Sequence, residues 1–177
     1  SDTDPKGAVT TYAYDDTART VTTTNALGAA STAAFDAVGN LTTITDTLVP
    51  GNSESFGYTA REHLGTASGP YGDLEFSYDG VGNRTARVAD GQSDGYLYPP
   101  ASNRLQQINL ATGGSRGFTY DANGSVVAEA RAEGTYGYTY NAAGRMSEFR
   151  INGALQASYT YDAMGRQASR SLASGQG

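Results

Sequence analysis

The sequence has neither cysteine nor tryptophan, and His63 is its one histidine. Without cysteine the chain has no disulfide bond, no thiolate metal ligand and no thiol nucleophile. A lone histidine also argues against a zinc site or a catalytic triad, because both need further partners of the right type. We therefore interpret His63 as a solvated strand residue, and we predict no enzyme activity, no cofactor and no metal site.

Basic residues are also scarce, with 12 Lys and Arg against 18 Asp and Glu and a net charge of -6. Nucleic acids and anionic membranes bind clustered cations, so this balance argues against either partner. No apolar run reaches the roughly 18 residues that indicate a membrane-spanning helix. The chain carries no targeting signal and starts within a repeated pattern, so we interpret it as a segment of a longer protein.

Glycine and tyrosine are abundant instead, with 23 and 13 copies, and they recur in a short motif. The motif is clearest from Tyr159 to Arg166, which reads Tyr-Thr-Tyr-Asp-Ala-Met-Gly-Arg, and close copies begin at Tyr138, Phe118 and Phe76. The second aromatic position of the copies falls at residues 14, 35, 58, 78, 98, 120, 140 and 161. A period of about 21 residues is the size of one supersecondary unit. We predict one array of about eight units over residues 1–177, with residues 171–177 as a disordered tail.

One unit can be interpreted from its residue types. Aromatics two positions apart point to the same face of a strand, and aromatic and Thr residues favour strands. The Asp that follows can accept hydrogen bonds from nearby backbone amides, and the Gly three residues later can take positive φ, as in a hairpin turn closed by a glycine bulge. Residues 46–57 and 65–75 are rich in Gly, Pro and Ser, and we interpret them as extended loops.

The predicted fold is all-β: an antiparallel hairpin array of roughly fifteen strands that forms a curved, twisted open sheet. We expect an aromatic stripe on one face and Thr, Ser and charged residues on much of the other. The residues that we take to define the repeat are Tyr14, Asp15, Phe35, Asp36, Gly39, Tyr58, Tyr78, Asp79, Gly82, Tyr98, Tyr120, Asp121, Gly124, Tyr140, Gly144, Arg145, Tyr161, Asp162, Gly165 and Arg166.

Three chemical alternatives are weighed against structural ones. The repeated Asp residues could ligate calcium, but each stands nearly alone, so turn capping is favoured. Asp15-Asp16 or the Glu129 and Glu133 pair could be the two carboxylates of a glycosidase, but exposed acidic residues on strands are far commoner. The Tyr stripe could stack on sugar rings, and a ladder of cross-strand aromatic contacts is the favoured alternative.

The repeated Tyr-x-Tyr-Asp-x-x-Gly-Arg/Asn pattern resembles the YD repeat of the RHS (rearrangement hot spot) proteins, over essentially residues 3–170. The resemblance implies a large secreted or surface bacterial protein, such as a polymorphic toxin or a toxin-encapsulating component of a Tc complex. Teneurins carry related repeats. In the family the hairpins wind into a hollow shell that encloses a C-terminal toxin domain or presents a surface for adhesion.

The expected function is therefore structural, as part of a shell wall whose partners are the rest of the shell and its enclosed toxin. The alternative is an adhesion or carbohydrate-binding module that uses exposed Tyr side chains. Buried rings at Tyr78, Tyr120, Tyr140 and Tyr161 would favour the wall, and solvent-facing rings would favour the glycan site. We also expect edge-to-edge self-association, because the end strands of an open array expose unpaired backbone groups.

Overall fold

The computed structural model describes residues 1–173, which fall into two units that meet between Ser93 and Asp94. Both units are built from antiparallel strands and short turns. The strands of the first unit are β1 (Asp2–Thr3), β2 (Val9–Asp15), β3 (Thr20–Thr24), β4 (Ala30–Phe35), β5 (Leu41–Asp46), β6 (Glu54–Tyr58), β7 (Leu64–Gly69), β8 (Gly72–Tyr78) and β9 (Arg84–Ala89), with a 3-10 helix at Pro50–Asn52. Those of the second unit are β10 (Gln92–Leu97, which starts at the boundary), β11 (Gln107–Asn109), β12 (Ser115–Tyr120), β13 (Val126–Arg131), β14 (Gly134–Tyr140), β15 (Met146–Ile151), β16 (Ala154–Tyr161) and β17 (Gln167–Leu172).

Within each unit, every strand pairs antiparallel with its neighbour in sequence. The pairing runs from β1 to β9 in the first unit and from β10 to β17 in the second. The predicted all-β antiparallel hairpin array is therefore confirmed. The described residues hold 17 strands against the roughly fifteen expected.

Two expectations about irregular segments are wrong. Residues 65–75 are not an extended loop, because Leu64–Gly69 and Gly72–Tyr78 form a tight hairpin. Ladder hydrogen bonds on both sides outweigh the weak strand preference of Gly and Ser. Of the expected tail, Ser171 and Leu172 belong to β17 and pair with β16, which extends the ladder. Residues 174–177 lie outside the described part of the chain.

A register shift accompanies the turn in six of the hairpins, at the position of the marker aromatic. The shifts fall immediately before Phe35, Tyr58, Tyr78, Tyr120, Tyr140 and Tyr161. In the turns that end in glycine, that residue has positive φ, as at Gly124 (+90°) and Gly144 (+72°), so the predicted glycine bulge is confirmed. The first hairpin has no such glycine, and there Arg19 takes the left-handed conformation with φ of 53°.

The pairing register separates two faces in each unit, since directly opposed residues point to the same side of a sheet. In the second unit, Phe118, Glu129 and Tyr136 oppose one another in one row. The next row, on the opposite face, contains Gly117, Ala130 and Thr135. In the second unit one face is thus aromatic and the other is small or polar, except that charged residues such as Glu129 lie on the aromatic face.

Burial is shallow in both units. Among the described residues, those classed as buried are Ala67, Tyr96, Ala157 and Glu129, and no large side chain is fully buried. Most ring side chains are half-buried because they lie against the neighbouring strand of their own sheet. The stability of such a fold comes from contacts between adjacent hairpins and not from a central core.

Candidate functional site: the junctions between hairpins

Most YD turns are closed by the side chain of their first residue, which is an Asp or Asn in most copies and Thr59 in one. In the second hairpin, Asp36 Oδ1 accepts the amides of Val38 at 3.0 Å and Asn40 at 2.9 Å, and Asp36 Oδ2 accepts the Asn40 side-chain amide at 3.0 Å. The same contacts recur between Asp79 and Asn83. Burial raises the pKa of Asp36, but the bonds from Asn40 and Val38 outweigh it and the pKa is lowered. Direct hydrogen bonds thus support the turn-capping role that the sequence predicts for these residues.

The second tyrosine of the motif joins its hairpin to the preceding one. Its hydroxyl donates to a backbone carbonyl of that preceding hairpin, at the start of the return strand or up to two residues before it. The five bonds run from Tyr58 to Leu41 (2.9 Å), Tyr78 to Leu64 (2.8 Å), Tyr120 to Leu105 (2.7 Å), Tyr140 to Val126 (2.8 Å) and Tyr161 to Met146 (2.8 Å). A typical neutral bond of this kind contributes about 1 kcal/mol.

The geometry explains why tyrosine recurs at this position. The accepting carbonyl lies beside the glycine bulge, where the ladder is locally disrupted and a carbonyl needs another donor. The tyrosine lies on the strand that pairs directly with the accepting strand, and its hydroxyl supplies that donor. Phe35 occupies the same position without a hydroxyl, and Tyr14, in the first hairpin, is 71% exposed. The sequence motif marked the correct residue, but the bond it makes became visible only in the structure.

At some of these junctions there is a second contact. The residue after the turn of one hairpin packs on the motif tyrosine of the next hairpin. Arg145 lies 5.7 Å over the ring of Tyr161, and a Cβ at Gly165 would overlap its guanidinium. Arg104 lies 5.8 Å over the ring of Tyr120 and donates to the Asp121 carbonyl at 3.3 Å. A guanidinium over an aromatic face is attracted by the ring quadrupole, so these contacts favour adjacent packing of the two hairpins.

His63 occupies the equivalent position in its hairpin. Its ring is 4.8 Å from that of Tyr78, and a Cβ at Gly82 would lie 3.2 Å from the imidazole. His63 is half-buried and precedes β7, so the expectation of a solvated strand residue is wrong. The repeat position explains the difference, because the side chain at this point packs on the next hairpin.

Sequence reasoning missed a charged cluster on the aromatic face of the second unit. Glu129 is 4% exposed, and it accepts from Arg116 Nε at 2.5 Å and from Arg131 Nε at 2.7 Å and Nη2 at 3.0 Å. Tyr138 donates to the same carboxylate at 3.3 Å. The bonds from Arg131 and Arg116 outweigh desolvation and lower the pKa of Glu129 to about 2. Cross-strand register brings these residues together, and no local motif indicates it.

The contacts of the acidic residues also bear on whether Glu129 with Glu133, or Asp15 with Asp16, could act as the two carboxylates of a glycosidase. Glu129 is bound by two guanidinium groups, whereas Glu133 is mostly exposed, with a long contact of 3.7 Å to Arg131. Asp15 caps its own turn by accepting the Ala18 amide at 2.8 Å. Neither arrangement is a pair of free carboxylates facing a cleft. Over residues 1–173, no group of three or more potential metal-ligating side chains comes together.

The four tyrosines whose exposure would separate a shell wall from a glycan site all have the same environment. Tyr78, Tyr120, Tyr140 and Tyr161 are all half-buried, and each hydroxyl is bonded to a backbone carbonyl. Burial raises the pKa of the Tyr140 hydroxyl, with a further contribution from the charge of Asp121. These rings are engaged in joining hairpins, which favours the wall.

A family profile described as Teneurin YD-shell matches residues 9–176. The chain belongs to the YD-shell family. The resemblance to RHS and YD repeats that the motif indicated is thereby confirmed, and the hairpin junctions described above are junctions of a YD shell. The chain is thus a structural shell segment. In the part described, no helix is both long and apolar enough to cross a membrane.

Solved structures support the same fold. A crystal structure of TcdB2-TccC3-Cdc42 is similar, with a TM-score of 0.61 and 16% identity over 99% of this chain and 11% of that chain. A Tc holotoxin pore of Photorhabdus luminescens gives a TM-score of 0.52 and 14% identity over 95% of this chain and 12% of that one. This chain therefore spans about one tenth of the length of the structures it matches. The comparison with curated proteins found no match.

Proposed function

We propose that this chain is part of the wall of an RHS-type shell that encloses a C-terminal toxin domain of a secreted bacterial protein. The repeated bond from a tyrosine hydroxyl to a carbonyl of the preceding hairpin carries the proposal. It builds an extensible sheet in which five hairpins are each tied to the hairpin before, and such ties between neighbours are what a wall requires. The role is structural, so no reaction is assigned to the chain.

The sparse burial supports a wall more than a binding pocket. A ligand site usually buries its occupant in a concave, mostly apolar cavity. Here a cleft lies along the turns at Thr59, His63 and Tyr78, and it is open to solvent. The half-buried rings instead contact the protein's own backbone. We therefore favour the wall over carbohydrate binding through exposed tyrosines.

The size of the chain implies that a single segment cannot enclose a domain. A compact domain of 100 residues is about 34 Å across, from a radius of gyration of about 13 Å. With room for the side chains on the inner wall, one turn of sheet around it measures about 150 Å, which is roughly 30 strands at about 4.8 Å spacing. The described residues hold 17 strands, so enclosure needs further repeats. The matched structures, of which this chain covers 11–12%, have ample length for a shell.

The proposal is tested on the longer protein that contains this segment. Electron cryomicroscopy should show these hairpins in a continuous wall with density for a further domain inside it. Limited proteolysis should leave that domain intact while the wall is folded and cut it once the wall is unfolded in urea. A domain that is cleaved equally fast in both conditions would refute encapsulation.

A further inference from the structure

The sequence contains two Asn-Gly dipeptides, Asn123-Gly124 and Asn152-Gly153, and both lie in hairpin turns of the second unit. Asparagine is a chemically labile residue, because the carbon of its side-chain amide can be attacked by the backbone nitrogen of the next residue. A glycine in that next position leaves the nitrogen unhindered, since it has no Cβ. Each dipeptide is therefore a candidate site of spontaneous modification, and the structure holds the two in different ways.

Asn152 is bound to the preceding hairpin. Its side-chain Oδ1 accepts the amide of Thr135 at 2.8 Å, and its own backbone amide donates to the Thr135 carbonyl at 2.8 Å. A Cβ at Gly134 would overlap the carboxamide, so this group packs closely on the Gly134 backbone. Attack by the Gly153 nitrogen requires the carboxamide to turn toward its own main chain, and these contacts hold it toward the preceding hairpin instead.

Asn123 has no such contact. It is exposed in the turn between β12 and β13, and within residues 1–173 its side chain makes no hydrogen bond. The amide of Gly124 donates to the Asp121 carbonyl at 3.1 Å, and Asp121 Oδ1 accepts the Ser125 amide at 2.8 Å. These two bonds close the turn, so the Gly124 nitrogen becomes available when the turn opens. Exposed turns open far more often than the whole chain unfolds.

We propose that Asn123 is a site of spontaneous deamidation whose rate is controlled by the Asp121 cap. The Gly124 nitrogen loses its proton and bonds to Cγ of Asn123, and the bond from Cγ to the side-chain nitrogen breaks. That nitrogen leaves as ammonia with the proton, and a succinimide ring remains. Water then opens the ring at either carbonyl carbon. The product is aspartate, or isoaspartate in which the main chain continues through the former side chain.

The modification would alter one junction between hairpins. Arg104 lies 5.8 Å over the ring of Tyr120 and donates to the Asp121 carbonyl at 3.3 Å. A Cβ at Gly124 would lie 3.3 Å from Nη2 of the same arginine. Isoaspartate adds a carbon atom to the main chain of this turn, so the turn can no longer hold Asp121 and Gly124 at their present spacing beside Arg104. The modification thus weakens this junction as the chain ages, and it does not depend on the proposed enclosure of a toxin domain.

The two dipeptides of the unsubstituted chain test the site. The chain is incubated in mildly alkaline buffer and digested at acidic pH, and mass spectrometry follows the conversion of each asparagine. Labelling with protein isoaspartyl methyltransferase detects the isoaspartate. Asn123 should react at least about tenfold faster than Asn152, because two hydrogen bonds hold the latter. In urea the two rates should agree closely, since neither contact survives. Equal rates in the folded chain, or a faster reaction at Asn152, would overturn the proposal.

Two substitutions of Asp121 test the control by the cap. Asp121→Ala removes the carboxylate that closes the turn, so the rate at Asn123 should rise about fivefold through more frequent opening. Asp121→Asn keeps a side-chain oxygen, which caps the corresponding turn at Asn141, so it should retain the slow rate. A rate that Asp121→Ala leaves unchanged, or that Asp121→Asn raises equally, would refute the control by the cap.

Asp162→Ala is the matched control for a general loss of stability. Asp162 caps another turn of the same unit, where it accepts the amides of Met164 and Arg166 at 2.9 Å each, and that turn has no Asn-Gly dipeptide. Its removal should leave the rate at Asn123 unchanged, and an increase equal to that of Asp121→Ala would contradict a local cap. Asn152 in the same digests reports unfolding, because both sites then accelerate together. If Asp121→Ala unfolds the unit, the two rates in the unsubstituted chain decide.

Discussion

The hydroxyl of Tyr140 donates to the backbone carbonyl of Val126 at 2.8 Å, across a separation of 14 residues. Val126 begins β13 and Tyr140 ends β14, so one side chain ties a hairpin to the start of the strand before it. The same relationship recurs at four other tyrosines. From the sequence alone the second tyrosine is a residue that favours strands, and in the structure it also joins neighbouring hairpins.

Removing this hydroxyl should destabilise the chain. Tyr140→Phe keeps the ring but leaves the Val126 carbonyl without its donor, so we expect a loss of about 1 to 2 kcal/mol in the free energy of unfolding. Urea denaturation followed by circular dichroism measures it. Tyr14→Phe is the matched control, since Tyr14 is 71% exposed, and it should change stability by less than about 0.5 kcal/mol. Equal losses in the two variants would show that the hydroxyl bond does not hold the hairpins together.

Two turn glycines separate backbone strain from steric overlap. A Cβ at Gly144 meets nothing within 4 Å, so Gly144→Ala should cost only the strain of positive φ, about 1 kcal/mol. A Cβ at Gly165 overlaps the guanidinium of Arg145, so Gly165→Ala should cost more.

Thermal melting of both variants and of the double variant Gly165→Ala, Arg145→Ala checks this difference. The double variant should recover the part of the Gly165→Ala loss that comes from overlap. Ala142→Ser, in the same turn as Gly144, serves as a near-neutral control. A Gly165→Ala loss no larger than that of Gly144→Ala would contradict the forward contact of Arg145.

The buried carboxylate of Glu129 should be needed for the stability of the second unit. Glu129→Gln leaves Arg116 and Arg131 without their shared anion, and a loss of about 2 to 3 kcal/mol is expected, because these arginines are partly solvated. Glu133→Gln changes the same charge at a mostly exposed position and should stay within about 0.5 kcal/mol. Chemical denaturation of the two variants gives the comparison, and similar values for both would show that the cluster contributes little.

The same cluster predicts a pH dependence. The pKa of Glu129 is lowered from 4.5 to about 2, so its contribution is fully present above about pH 4.5 and is lost as the pH falls toward 2. The full shift corresponds to about 3 kcal/mol. The stability difference between the unsubstituted chain and Glu129→Gln should therefore shrink between pH 5 and pH 2. Taking the difference removes the parallel contributions of Asp79 and Asp162, whose pKa values are also lowered. A difference that stays constant with pH would refute the assignment.

Local patterns predicted the fold well because the YD unit is specified by short-range physics. Alternating aromatics favour a strand, Asp caps the turn after it, and Gly supplies the positive φ that the bulge requires. These residue types recur about every 21 residues. A repeat copy that has lost part of the motif can therefore be interpreted from the better preserved copies. For the segment 65–75 the loop prediction is wrong, because its Gly, Ser and Pro content is typical of loops, while cross-strand pairing holds it in β7 and β8.

The sequence by itself determined the class of fold, the repeat, the turns and the tyrosines that define them. Only the tertiary structure decided what those tyrosines bond to, that His63 packs on Tyr78, and that Glu129 lies between Arg116 and Arg131. The physical reason is range. Turn and strand preferences depend on residues a few positions apart, whereas junction contacts join residues 13 to 17 positions apart and depend on a register that pairing alone sets.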